Sequence, residues 1–171
     1  MPEHADTLLA LAEIGAAFAG FAALVSVIPR SPDRTAAPAH DLLRLRLVIS
    51  SGVAGVGAAL LPLGLAGFVT RVDLIWRLSA LAFLVLDNSV IWSFLGAYEP
   101  VRGSFPPDRL AVTVFMSLEV IEQIGLLLVV LGLGPWNPAG LYVAALTANL
   151  GQAGFIFVRF IGSAFHHASP E

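Results

Sequence analysis

Asp87, Glu119 and Glu122 lie deep inside two apolar stretches of this chain, and Glu13 sits in a third. Amides accompany them at Asn88, Gln123, Asn149 and Gln152. Carboxyl groups in apolar surroundings can bind and relay protons or hold a cation, with amides to solvate either. Glu119 and Glu122 are three residues apart and Gln123 is four from Glu119, so on a helix all three share one face. Asn149 and Gln152 share a face in the same way. The Glu119-x-x-Glu122 pair offers two hard oxygen donors to a divalent ion, a set that Asp87 or Glu13 would complete. That spacing is common by chance, so Glu119 and Glu122 are weak metal candidates. Softer metals would recruit histidine, yet His4, His40, His166 and His167 all fall outside the apolar stretches.

Other chemistries lack their parts. Cysteine is absent, which excludes disulfides, thiolate metal sites and thiol nucleophiles. No glycine-rich phosphate loop, H-E-x-x-H pair or nucleophile elbow occurs, so no catalytic residue, enzyme activity or cofactor is expected. The net charge of −3 is too small to argue for any partner, and without a basic stripe nucleic acid is not expected as one.

Apolar residues make up 57% of 171 positions, charged residues only 12%, and mean hydropathy is +0.85. A water-soluble domain is about one-quarter charged; this chain needs lipid as its solvent. Five long apolar runs, 7–28, 42–69, 74–95, 109–133 and 139–165, each hold the roughly twenty residues that cross a hydrocarbon core about 30 Å thick. The period-2 alternation of a membrane barrel is missing. The sequence therefore predicts an all-α polytopic transmembrane bundle of five spans in a single domain, 1–171, with four spans as the alternative. Met1 to Asp6 holds no Lys or Arg and Glu13 interrupts the first run, so that run is expected to be a retained helix rather than a signal peptide. Asp6 or Thr7 is expected to cap it. Pro32 and Pro38 are expected to keep the connector Arg30–Asp41 out of helix, Pro62 to kink the second segment, and Asp108 to cap the fourth.

All nine basic residues are Arg. In a five-span topology seven of them (Arg30, Arg34, Arg44, Arg46, Arg102, Arg109, Arg159) fall on one side, and only Arg71 and Arg77 on the other. Such asymmetry marks the cytoplasmic face. It places the N-terminus outside and the C-terminus inside, in what is expected to be a bacterial inner membrane. Trp76, Trp136 and Tyr142 would then form an outer aromatic belt, with Tyr98 at the inner one.

Helices in lipid associate through close packing and polar contacts. The first segment carries small residues at Ala12, Ala16 and Gly20 and at Gly15, Ala19 and Ala23; the second carries Ser51, Gly55 and Ala59, and the fifth Ala145, Asn149 and Ala153. These suit contacts within one chain or between copies, and a homo-oligomer is expected. An ionised side chain facing lipid at mid-depth costs at least about 2.5–3.5 kcal/mol, so the acids and amides are expected to converge inside the bundle. Arg77 and Arg159 are the bases placed to pair with them, Arg77 with Glu13 above all. Two readings of the polar group stand at this point: a site for protons or a small cation in a channel or transporter, and a polar core that only fixes helix register.

Overall fold

The computed structural model describes residues 4–27, 37–103 and 108–166. Five helices cross: α1 (Ala5–Ser26), α2 (Ala37–Leu65), α3 (Val72–Tyr98), α4 (Arg109–Leu131) and α5 (Pro138–His166), with a single 3-10 turn at Glu99–Val101. Each contains an apolar stretch long enough to span a bilayer, as the sequence predicts. The middle of the connector before α2, the loop at 104–107 and His167 lie outside the described residues.

Helix α5 packs against all four others; α1 lies on α2 and α5, and α3 and α4 line the far side. Along the bundle axis the interior is layered. Towards one end Leu8, Ala12, Trp76, Phe83, Leu126 and Tyr142 belong to one apolar cluster. Towards the other, Ala22, Leu45, Val48 and Phe160 form a smaller one. Large apolar side chains such as Phe21, Leu24, Val85, Ile121 and Val158 point outwards, the inside-out distribution that lipid rewards.

Helices α1 and α2 meet backbone to backbone. A Cβ added at Gly15 would stand 2.9 Å from the carbonyl oxygen of Gly52, and one added at Gly52 would stand 2.7 Å from that of Gly15. The two backbones touch because neither residue has a side chain. The stripe α1 uses is thus Leu8, Ala12, Gly15 and Ala22, whereas Ala16 and Gly20 of the expected stripe face outwards.

Several local expectations are corrected. Helix α1 starts at Ala5, one residue before Asp6, which sits in the first turn and answers the positive helix end instead of capping it. Pro38 falls in the first turn of α2, where an absent N–H breaks nothing. Trp76 and Tyr142 are not belt residues: both are buried, with ring centroids 5.5 Å apart. The reason lies in Pro62. Inside α2 it cannot donate to the carbonyl four residues earlier, that of Ala58, and the Tyr142 hydroxyl donates to this same oxygen at 2.7 Å. Asn137 accepts from the Ala139 N–H at 2.9 Å, with Pro138 opening α5. Gly132 closes α4 in the left-handed conformation, φ 67°.

Two substitutions test this packing. Tyr142→Phe leaves the Ala58 carbonyl without its donor and is expected to lower unfolding stability in detergent by about 1–3 kcal/mol. Gly52→Ala is expected to cost as much or more through backbone overlap, whereas Gly96→Ala, with nothing near its Cβ, leaves stability unchanged or improved. Equal melting temperatures for the two alanine variants would contradict the α1–α2 contact.

Candidate functional site

The core-facing stripe of three helices turns polar at mid-depth. On α3 the buried series Trp76, Ala80, Phe83 and Leu84 ends in Asp87; on α4 Glu119 and Glu122 precede Leu126 and Val129 on one face. On α5 Asn149 and Gln152 follow Tyr142 and Leu146. The helical period that buries the apolar residues therefore buries these too, and they fill a layer between the two apolar clusters. Asp87, Glu119 and Glu122 each bring a carboxylate oxygen within 4.8 Å of the others, and all three are buried. Glu122 is fully enclosed.

Amides hold the acids. The Gln123 side-chain amide donates to Asp87 Oδ2 at 2.9 Å and to Glu119 Oε1 at 2.8 Å. Asn149 donates to Asp87 Oδ1 at 3.3 Å, and Gln152 donates to Glu119 Oε2 and Glu122 Oε2, both at 3.3 Å. A second rank orients the first: Asn88 donates to Gln123 Oε1 at 3.2 Å and Ser51 to Asn149 Oδ1 at 3.4 Å. Five of the six carboxylate oxygens thus accept an amide N–H; the sixth, Glu122 Oε1, is buried without a partner among the described residues, as is the Ser79 hydroxyl.

No Arg or His reaches the cluster among the described residues. Two unit charges about 4.8 Å apart repel by roughly 3–4 kcal/mol at an effective dielectric constant near 20. Three ionised carboxyls cannot share this space; the group must hold protons or a cation. A metal would need oxygen lone pairs turned inwards. Here the amide carbonyls of Gln123 and Asn149 point away to Asn88 and Ser51, and the amide N–H groups occupy carboxylate lone pairs instead. That donor set suits acids that share protons better than it suits a divalent ion.

The structure thus gathers Asp87, Glu119, Glu122, Gln123, Asn88, Asn149 and Gln152, and it leaves out Glu13. That residue lies on the exposed face of α1, and Arg77, on the far side of the bundle, does not reach it. Arg77 instead lies over Gly132 at the end of α4. Arg159 pairs with Asp108 at the α4 start rather than with a buried acid, and its guanidinium lies 5.8 Å from the Phe155 ring centre. Ser51 was legible only as a packing residue, since a serine in a small-residue stripe does not reveal its partner.

Two clefts flank the layer. One, of about 170 Å³ between α2 and α3, is lined by Arg46, Ser50, Ser89 and Ser93, with Arg46 donating to Ser93 Oγ at 3.3 Å. The other, of about 180 Å³ at the opposite end, is lined by Asp73, Arg77, Gly132 and Trp136. Comparison with protein families, curated protein sequences and solved structures returned no match to this chain.

Asp108 offers a test outside the membrane layer. It accepts from the Leu110 N–H at 2.9 Å. This bond above all, then the Arg159 guanidinium and the charge of Arg44, holds its carboxyl below the usual range. A lowered folded-state value means that its stabilisation is complete above the unfolded value near 3.9 and disappears as pH falls through the lower folded one. Melting temperatures in detergent are expected to fall more steeply below about pH 4 for the wild type than for Asp108→Asn. Parallel profiles would refute the assignment.

Proposed function

We propose that this protein is a small membrane bundle that takes up and passes protons through a mid-membrane carboxyl cluster, in the manner of a channel or transporter. One observation carries the reading: three buried acids within 4.8 Å of one another, with no basic residue among the described ones to neutralise them. Protons answer that charge without displacing the amide N–H groups. Glu122, whose Oε1 has no hydrogen-bond partner among the described residues, and Glu119 would be the principal carriers, with Asp87 of α3 completing the group. Gln123, Asn149 and Gln152 would exchange hydrogen bonds as protons move. A hydrogen-bonded chain that runs from Ser51 through Asn149 to Asp87 supports the reading, and the cleft lined by Arg46, Ser50, Ser89 and Ser93 together with Leu43, Leu47, Leu86 and Phe94 would be the nearest entrance. With the arginine asymmetry read as above, that cleft opens to the cytoplasm and the N-terminus lies outside.

A structural reading is favoured by a different observation, the near-complete satisfaction of the carboxylate oxygens, which suits a polar layer that only fixes helix register.

Proton flux into liposomes under a potassium diffusion potential separates the two. Wild-type protein is expected to acidify or alkalinise the lumen according to the sign of the potential. Glu122→Gln and Glu119→Gln, which keep the shape and much of the hydrogen bonding, are expected to lower that flux by tenfold or more with little change in melting temperature. A folded wild type that passes no protons ends the transport reading, and full flux in both variants removes these acids from it.

A further inference from the structure

Glu13 is an acid at membrane depth that the fold leaves uncovered. It lies eight residues into α1, about 12 Å from the helix start at 1.5 Å per residue, on an exposed face shared with Ile14, Phe21 and Leu24. It makes no hydrogen bond or ion pair among the described residues. Facing acyl chains, an ionised carboxyl costs at least about 2.5–3.5 kcal/mol, a cost that a basic partner from outside the chain would remove.

The far flank of the molecule carries the complement. Arg77 is exposed on α3, five residues from its start and so about 7.5 Å deep. It too makes no ion pair among the described residues, although its charge acts on nearby Asp73. Asp73 beside it is bonded to Arg71 at 2.9 Å. Arg77 lines the cleft of about 180 Å³ that it shares with Gly132 and Trp136. Helices α1 and α3 run in the same direction, so both charges occupy the same half of the bilayer, and the depth difference of about 4.5 Å is within the reach of an arginine side chain. Within one chain they cannot meet, because α1 packs on α2 and α5 while Arg77 sits at the α3–α4 boundary.

We propose that Glu13 of one copy pairs with Arg77 of the next, joining α1 of one subunit to the α3–α4 flank of its neighbour in a head-to-tail ring. The two patches are different surfaces of one chain, which makes the interface heterologous, and a rotation about the membrane normal that divides a full turn would close it into a ring. Gly20, two turns along the same face as Glu13 and with no atom near its absent Cβ, lets the neighbouring helix come close there. The pairing does not depend on what the buried acids carry.

The absence of native cysteine makes the test clean. Mild copper–phenanthroline oxidation of membranes carrying Glu13→Cys/Arg77→Cys is expected to yield a ladder of disulfide-linked multimers. Glu13→Cys alone and Arg77→Cys alone are expected to stay monomeric on the gel. Native mass spectrometry from nanodiscs is expected to show oligomers for the wild type, their loss in Glu13→Arg and in Arg77→Glu, and their return in the double reversal. Dimers from Glu13→Cys alone would overturn the arrangement in favour of a two-fold contact. A monomeric wild type, or reversals that leave the oligomer intact, would overturn it outright.

Discussion

The cost of stripping water from a carboxyl group governs this molecule. In a soluble protein of the same size, acids sit on the surface and cost nothing to hydrate. Here the surface is hydrocarbon, and the only polar solvent at mid-depth is what the protein supplies. Three helices therefore turn polar at one level, and their side chains solvate one another: Gln123, Asn149 and Gln152 replace the water that Asp87, Glu119 and Glu122 have lost. The layer pins the axial position of α3, α4 and α5, because sliding any of them by a turn would strand an acid among leucines.

The same accounting explains features away from the acids. Pro62 deprives the Ala58 carbonyl of its donor inside α2, and no lipid can replace it, so a tyrosine from α5 does. Its burial then draws Trp76 and Phe83 around it, with ring centroids 5.5 and 6.1 Å from its own. Where polar bonds are not in play, contact area takes over, and α1 meets α2 through bare backbone at Gly15 and Gly52.

Much of this was legible before any coordinates. Apolar run length marked five spans, and counting from their ends placed Asp87, Glu119, Glu122, Asn149 and Gln152 at one depth. Three- and four-residue spacings put the right side chains on common faces. The direction in which Glu13 points was not legible, because α1 is apolar or small on every side and gives its period no contrast; only the match to α2 at Gly15 orients it. Tyr142 was misplaced for a related reason. Its distance from the helix end looked interfacial, and the signal that would have corrected it was Pro62, which announces an orphaned carbonyl four residues upstream without saying which helix supplies the donor. The partners of Ser51 and Arg159 are tertiary facts of the same kind, set by which helices adjoin.

The backbone contact between Gly15 and Gly52 has a mechanical consequence. Helices locked that tightly have no slack for a wedge of water or for a change of tilt, so α1 and α2 behave as one stiff plank. The acids ride on α3 and α4, and neither is clamped in this way. If the charge of the polar layer changes, α3 and α4 are the helices without such a backbone lock to hold them against α1 and α2.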